Sequence, residues 1–180
     1  MQKSTSRYHR ISIARESRKL TMRADPLVPM SKKPSRSATG KNEPDPQTWM
    51  PQVREIYQEL AARPLQGNCI GRSTCCRFQL TGKTPYLTRG EALLAAHAWR
   101  ASGRKNMPAS SDGACPFLKN GLCQIYESRP FGCRTHFCDA AGGQTPRHLV
   151  RDLIQRLEDI DRALGGDGAS HFHSAVSRYL

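Results

Sequence analysis

Seven cysteines in two groups constrain this chain more than any other feature of its sequence. The groups are Cys69, Cys75 and Cys76, followed by Cys115, Cys123, Cys133 and Cys138. Thiols gathered so closely along a chain are typical of a metal site or of disulfides. Because seven is an odd number, any fully oxidised scheme would leave one thiol unpaired. The pattern therefore predicts thiolates that bind a metal.

Long apolar runs are lacking. The 180 residues are 37% hydrophobic and 24% charged, and none of the apolar runs approaches the roughly 20 residues that a membrane-spanning helix needs. No stretch resembles the apolar core of a secretory signal either. These features predict a soluble, cytoplasmic protein that does not interact with a membrane. Reducing conditions in the cytoplasm keep disulfides open, which again favours metal binding.

The net charge of +13 is typical of a nucleic-acid binder, but its distribution argues against that function. Residues 1–46 contain 11 Lys and Arg against 4 Asp and Glu, a net charge of +7. Residues 47–180 contain 17 against 11, a net charge of +6. A nucleic-acid-binding domain should gather its basic residues on one folded face, whereas here they are spread along the chain. We therefore do not expect a nucleic acid among the partners.

Composition divides the chain into three parts. Residues 1–46 are rich in Ser, Thr, Arg, Lys and Pro and poor in aromatic residues, which predicts a disordered basic leader. An organelle transit peptide and a nucleic-acid-binding arm are alternative interpretations of this leader, and Met30 is an alternative start of the chain. Residues 47–166 are expected to form one cysteine-cluster domain that binds a metal. Residues 167–180 are expected to form a C-terminal tail.

Hydrophobic periodicity predicts two helices in the first half of this domain. The first begins at Trp49, after two prolines, and ends before Pro64. The second begins at Thr88, whose side chain can cap the helix while Glu91 answers the backbone N–H of Thr88 in a capping box. This second helix is expected to end at Gly103.

A third helix is predicted near the end of the domain. Thr145 is its expected cap, Pro146 its first residue and Gly165 its end. The apolar residues between 149 and 164 form a continuous stripe, which is most simply a core face and alternatively a surface for a dimer or a partner.

Short elements are expected between the second and third helices. The turn around Asn120 and Gly121 allows a small hairpin across residues 117–118 and 124–126. The sequence thus predicts a mainly α, small, metal-stapled single domain with irregular cysteine-rich loops and at most a short hairpin.

Cysteine ligands limit which metal such a domain can hold. Thiolates are soft ligands that suit zinc and iron–sulfur clusters, whereas magnesium and calcium require oxygen ligands. The spacings Cys-x5-Cys-Cys and Cys-x7-Cys-x9-Cys-x4-Cys match neither a zinc ribbon nor a ferredoxin. Adjacent Cys75 and Cys76 are expected to point in different directions, so both need not bind one ion. The spacing predicts zinc or iron without deciding between them.

Several motifs between residues 65 and 140 share a pattern with a known family. They are Cys75-Cys76-Arg77, Thr88-x-x-Glu91, Cys115-Pro116-Phe117-Leu118, Gly121-x-Cys123-x-Ile125-Tyr126-Glu127-x-Arg129-Pro130 and Cys133-Arg134. Together they resemble the YkgJ-type cysteine-cluster family, also called CxxCxxCC, of zinc- or iron-chelating domains. The resemblance implies a small metal-binding domain related to a flagellin lysine-methylating enzyme, for which an iron–sulfur cofactor is expected.

The first cysteine motif departs from the pattern of this family. The family has Cys-x2-Cys-x2-Cys-Cys, whereas only Cys69, Cys75 and Cys76 occur here. One ligand is therefore missing or replaced. His136 is the nearest candidate for the replacement, the alternative being a loop histidine beside the site.

Charged and aromatic residues accompany the cysteines. Positive charge from Arg77, Arg129 and Arg134 would stabilise thiolates or a net-negative cluster. Glu127 and Tyr126 are interpreted as structural, with Glu127 paired to an arginine and Tyr126 in the core.

Three functions remain open at this point. The first is binding of zinc, iron or an iron–sulfur cluster, with a structural role or a role in metal handling. The second is an iron–sulfur-dependent enzyme that modifies protein side chains, as the related methylase does. The third is a zinc-stapled nucleic-acid-binding module. The sequence contains no recognisable nucleotide- or methyl-donor-binding motif, so enzymatic activity stays undecided.

Overall fold

The computed structural model describes residues 45–65, 67, 69, 71–109 and 113–180. Within these ranges the fold is mainly helical, which confirms the predicted fold class. The helices are α1 (Pro46–Ala62), α2 (Phe78–Thr81), α3 (Arg89–Ala101), α4 (Phe131–Thr135), α5 (Arg151–Ala163) and α6 (Phe172–Ser177). The strands are β1 (Tyr86–Leu87), β2 (Leu118–Lys119), β3 (Leu122–Cys123) and β4 (Ser170–His171). Residues 1–44 of the expected leader lie outside the described residues. Among the described residues, none of the helices is long and apolar enough to cross a membrane.

The first helix begins earlier than its apolar pattern predicts. The carboxylate of Asp45 accepts a hydrogen bond from the N–H of Gln47 at 3.0 Å. Pro46 follows as the first helical residue, where its missing N–H costs nothing and its fixed backbone angle suits a helix. The helix therefore begins at Pro46 rather than at Trp49.

The capping box that starts α3 is confirmed. The N–H of Thr88 donates to the carboxylate of Glu91 at 3.0 Å, and the side chain of Thr88 accepts from the backbone of Glu91 in return. The helix ends at Ala101, and Gly103 then adopts a positive φ of 79°. Both ends of α3 thus follow from residue types that the sequence shows.

The last long helix, α5, has the predicted apolar stripe, but it begins at Arg151 rather than at Pro146. A 3-10 turn at Arg147–Val150 precedes α5. Thr145 does not cap this helix, whose N-cap position is Val150. The N–H of Thr145 instead donates to the carbonyl of Thr135 at 2.8 Å and so ties Thr145 to α4. The Thr145 hydroxyl is buried without a hydrogen-bond partner among the described residues. The buried residues of the stripe are Val150, Leu153, Leu157 and Ile160.

Two clusters of buried side chains form the interior. The first joins α1, α3 and α5, and its most buried members are Val53, Ile56, Leu94 and Leu153. The second joins α3, α6 and the segment around the β2–β3 hairpin, with Leu87, Phe117, Phe172 and Val176 at its centre. A Cβ atom at Gly90 would lie 3.2 Å from Ile160 and 3.3 Å from Val53. Glycine at this position therefore lets α3 approach the other two long helices.

The C-terminal segment belongs to the folded domain. Strand β4 pairs antiparallel with β1, and the following helix α6 buries Phe172, Ala175 and Val176. These three residues lie three and four positions apart, so they share one face of the helix. The structure thus extends the domain beyond residue 166 into the predicted tail at 167–180, and this short apolar spacing is the signal that could have indicated it.

The predicted hairpin forms, with its strands closer to the turn than expected. Leu118 pairs with Cys123, and the loop between β2 and β3 consists of Asn120 and Gly121 with φ angles of 51° and 75°. A two-residue loop with both φ angles positive is the usual way to close a tight hairpin, and Asn-Gly suits it best. The two strands therefore lie next to the turn, and the bond from the Gln124 N–H to the Phe117 carbonyl at 2.9 Å extends the pairing to residue 124.

A buried carboxylate joins three elements of the fold. Glu91 is 3% exposed and accepts hydrogen bonds from the Tyr57 hydroxyl at 3.2 Å and from the Phe131 N–H at 2.7 Å. The N–H and the hydroxyl of Thr88 also donate to it, at 3.0 and 2.8 Å. Burial raises the pKa of Glu91, and these hydrogen bonds lower it again in part. Glu91 thereby fixes α4, which carries Cys133, against α1 and α3.

We expect Glu91→Ala to lower the free energy of unfolding by about 3 kcal/mol or more, because each buried donor left without an acceptor costs about 1–3 kcal/mol. Glu91→Gln should cost less, since its amide oxygen still accepts. Glu55→Ala is the matched control, because the Glu55 side chain is 70% exposed in its contact with Arg156 and such pairs contribute less than about 1 kcal/mol. Urea unfolding followed by circular dichroism measures all three. Equal stability of Glu91→Ala and Glu55→Ala would contradict the role assigned to Glu91.

Candidate metal centre

Six of the seven predicted cysteine ligands line one cavity. Its volume is about 540 Å³, and its thiols are Cys69, Cys75, Cys76, Cys115, Cys123 and Cys133. The described residues that line it include no Asp or Glu. The fold thus brings both cysteine groups together in a setting where soft sulfur donors dominate. Cys138 does not line the cavity, although the sequence predicts it as a ligand.

A backbone contact ties the two cysteine groups to each other. The N–H of Cys115 donates to the carbonyl of Cys76 at 2.7 Å. Cys76 ends a 3-10 turn at Thr74–Cys76, which begins after Ser73 in the left-handed conformation with φ of 53°. This turn brings the first group against the start of the second.

Two short elements position the later cysteines. Cys123 ends strand β3, and the neighbouring Gln124 donates its N–H to the carbonyl of Phe117 at 2.9 Å. Phe117 is fully buried, so this strand is anchored to the core. Cys133 lies on α4, whose first N–H, that of Phe131, is bound by Glu91. Both thiols are therefore attached to well-packed parts of the domain.

The neighbouring thiols of Cys75 and Cys76 contact each other. A hydrogen bond from Cys76 is the main cause that lowers the pKa of Cys75 to about 6. The same bond, followed by burial, raises the pKa of Cys76 far above its usual range. Sequence spacing predicted that these side chains diverge, but the tight 3-10 turn brings both to the same cavity. Cys75 is accordingly a thiolate at neutral pH and Cys76 its S–H donor.

Burial keeps the remaining deep thiols protonated. It raises the pKa of Cys115 to about 12, and it raises the pKa values of Cys123 and Cys133 as well. Neighbouring thiols add to each of these shifts because thiolates repel one another. A metal cation would remove this repulsion, and its binding would release the thiol protons.

Two of the three expected arginines lie at the cysteines. Arg129 lines the cavity. Its positive charge offsets part of the rise in the pKa values of Cys123 and Cys133, and it contributes to the lowered pKa of Cys75. Its guanidinium carbon lies 4.1 Å from the centre of the Tyr126 ring. Tyr126 is 44% exposed rather than in the core, because it stacks on this arginine at the surface.

Neither Arg77 nor Arg134 lines the cavity itself. Arg77 is exposed and lies outside the lining residues. Arg134 instead braces the wall: its guanidinium lies 4.2 Å from the Tyr57 ring centre, and its Nε donates to the Arg129 carbonyl at 2.9 Å. Arg134 also donates to the backbone carbonyl of Glu127, so the expected pairing involves the main chain of Glu127 rather than its carboxylate.

His136 lines the cavity together with the six cysteines. Burial lowers the pKa of this imidazole, and the charge of nearby Lys83 lowers it further. A neutral imidazole is the form that can bind a metal. Its position keeps His136 as a candidate for the ligand missing from the first motif.

The donor atoms of the cavity suit a metal, but they lie too far apart to bind one ion in the conformation described. Within the described ranges, no three His, Cys, Asp or Glu side chains converge tightly enough to hold an ion as they stand. The donors belong to loops and short elements around a shared space, so rotations of their side chains can bring them closer. Cysteine thiolates are the donor set that zinc and iron prefer.

Comparison with known proteins supports the interpretation of these cysteines as part of a metal-binding domain. A family model, CxxCxxCC, described as "Putative zinc- or iron-chelating domain", matches residues 68–149. The matched range contains all seven cysteines, His136 and the Thr88–Glu91 capping box. No curated protein and no solved structure matches the chain.

We expect Cys75 to be the most reactive thiol at pH 7 in reduced, metal-free protein, because reactivity follows the thiolate fraction. Its alkylation rate should rise with pH through a midpoint near the pKa of about 6. Cys76→Ala removes the donor and should move this midpoint towards the ordinary thiol value. Alkylation with iodoacetamide, resolved by peptide mass spectrometry, measures both. A midpoint of Cys75 that does not respond to Cys76→Ala would contradict the proposed hydrogen bond.

Proposed function

Residues 68–149 match the model of the CxxCxxCC family, and from this match we propose that the six cysteines around the cavity are the metal ligands of this protein. One observation carries the proposal: two cysteine groups that are far apart in sequence line a single cavity. Disulfides do not explain this arrangement, since all seven cysteines are free thiols.

The metal in this proposal is zinc or iron. Zinc in structural sites takes four ligands, so six thiols exceed what one zinc ion requires. A single iron–sulfur cluster is likewise held by four cysteines, so the surplus favours a second metal ion or thiols that line the cavity without binding the metal. Bound zinc would cross-link the surrounding loops, whereas an iron–sulfur cluster would in addition supply one-electron chemistry.

Residues of this chain prepare the site for either metal. Arg129 supplies positive charge beside thiols that become anionic on binding. Phe117 and Phe172 are almost fully buried and line the cavity, which keeps water away from its inner wall. Glu91 holds α4 and with it Cys133. Because the ligands lie on loops, metal binding is expected to add directly to folding stability.

A metal-dependent enzyme is the second candidate function. The observation in its favour is the cavity volume of about 540 Å³, which lies within the 300–1,000 Å³ that is usual for organic ligands. Under this alternative the protein would modify protein side chains with the help of an iron–sulfur cluster. We place either function in the cytoplasm, where free thiols persist.

We expect anaerobically purified protein to contain zinc or iron, and Cys115→Ser and Cys133→Ser to lose most of this metal together with helical structure. A serine hydroxyl is a hard, protonated ligand and does not replace a thiolate. His136→Ala should lose less. Elemental analysis and circular dichroism measure these effects, and the visible absorption of iron–sulfur clusters separates them from zinc.

Cys138→Ser is the matched control, because Cys138 does not line the cavity. This variant should keep the metal content of the parent protein. Parent-like metal content in Cys133→Ser would remove that residue from the site, and loss of metal in Cys138→Ser would restore Cys138 to the ligand set.

A further inference from the structure

Exposed apolar side chains gather at the mouth of the cavity. Among the described residues, five large hydrophobic side chains are exposed: Leu80, Tyr86, Leu122, Tyr126 and Leu149. Three of them, Tyr86, Leu122 and Tyr126, line the cavity and are 63%, 66% and 44% exposed. These three residues form the apolar rim of the cavity. A single exposed hydrophobic residue is ordinary, whereas several around one cavity are typical of a surface that a partner covers.

The apolar rim stays accessible when the thiols close around a metal, because its two rings are held from outside the cysteine loops or at the surface. Tyr86 belongs to β1, which pairs with β4. Its ring packs edge to face on His171, with ring centres 5.8 Å apart. The Tyr126 ring lies 4.1 Å from the guanidinium carbon of Arg129. A partner can therefore bind the rim without entering the inner space that the metal occupies.

The loops around the cavity carry exposed positive charge. Residues 71–86 and 115–137 supply most of the lining, and they contain six Lys and Arg against one Glu, a net charge of +5. Four of these cations are exposed: Arg72, Arg77, Lys83 and Lys119. Lys83 itself lines the cavity, and the other three are sequence neighbours of lining residues. Positive charge therefore surrounds the apolar rim.

The thiolates of the metal centre do not cancel this charge. Four thiolates around one divalent ion, or six around two, carry a net charge of about −2. Arg129 and Arg134 balance that charge, since both lie close enough to offset part of the rise that burial gives the pKa of Cys123. The four exposed cations then have only Glu127 against them, so the surface around the rim keeps a net charge of +3.

This combination of charge and apolar surface selects an acidic protein segment as the occupant. A second copy would bring the same positive charge, and residues 1–46 of this chain carry +7 themselves, so both are repelled. A nucleic acid would bind the cations but place its phosphates against Leu122, whose side chain gains nothing from them. A lipid bilayer is flat, whereas the rim borders a concave space. Carboxylates interspersed with apolar side chains complement both features of the surface.

We propose that the apolar rim and the exposed cations around it dock an acidic segment of a partner protein, in which Asp or Glu alternates with Leu, Phe or similar side chains. The apolar side chains contact Tyr86 and Leu122, and the carboxylates pair with Lys83 and its neighbours. The inference rests on the proposed function only in that a metal occupies the inner cavity. A protein that delivers or receives this metal has to approach through the same mouth.

The test follows the fluorescence anisotropy of short labelled peptides mixed with full-length protein as isolated with its metal. A peptide that alternates Glu with Leu and Phe should bind with a Kd of about 100 µM or tighter. Replacing every Glu by Lys, or every Leu and Phe by Ser, should weaken binding at least about tenfold. Equal binding of either control peptide, or no saturable binding of the first, would overturn the proposal. Tighter binding of poly-uridine RNA or of phosphatidylserine vesicles would overturn the choice of a protein partner.

Variants locate the surface. Leu122→Ser and Lys83→Glu should each weaken binding of the Glu-containing peptide at least about fivefold. Leu149→Ser and Arg54→Glu are the matched controls and should leave it unchanged, because both side chains are exposed but lie outside the cavity. An unchanged affinity in Leu122→Ser or in Lys83→Glu would overturn the assignment.

Metal content measured on the same samples keeps the two proposals apart. A protein that holds metal but binds no acidic peptide fails only this inference. A protein that binds the peptide but holds no metal fails only the proposed function.

Discussion

The carboxylate of Glu91 is the contact on which the rest of the structure depends. Burying a carboxylate is costly unless its oxygens are hydrogen-bonded, and here donors from α1, from the start of α3 and from α4 satisfy it. The same contacts continue towards the cavity, since Arg134 on α4 lies over the Tyr57 ring and donates to the Arg129 carbonyl. One wall of the candidate metal centre is thus built on the helical core.

A second part of the cavity lining is built from a short turn. Cys75 and Cys76 lie on a 3-10 turn, and the carbonyl of Cys76 is bound by the N–H of Cys115. Burial and mutual proximity raise the pKa values of Cys76, Cys115, Cys123 and Cys133, whereas the hydrogen bond from Cys76 lowers the pKa of Cys75. A cation that accepts several thiolates would reverse this balance, which is why metal binding and closure of the loops should be coupled.

Features that depend on the conformational preferences of neighbouring residues could be predicted from the sequence. The Thr88–Glu91 capping box, the Asn120-Gly121 turn and the mainly helical fold are of this kind. Features that depend on tertiary contacts could not: Thr145 pairs with Thr135 rather than capping α5. The helix at 172–177 has only six residues, so its apolar spacing is a weak signal in the sequence, and its burial is what shows that it belongs to the domain.

The candidate site shows the same division. Clustered cysteines predicted metal binding, and the motifs predicted the family, yet spacing alone could not show which thiols share a cavity. Cys138 follows Cys133 closely in sequence but does not line the cavity, whereas distant Cys69 does. The expected divergence of Cys75 and Cys76 failed because the 3-10 turn brings both thiols to one space.

Anomalous X-ray scattering from crystals of the metal-loaded protein tests the central claim most directly, because it locates the metal and its ligand atoms together. The account predicts the anomalous peak inside the cavity, within bonding distance of sulfurs from both groups, including Cys75 or Cys76 from the first and Cys115 or Cys133 from the second. A metal bound by one group alone, or outside the cavity, would contradict it.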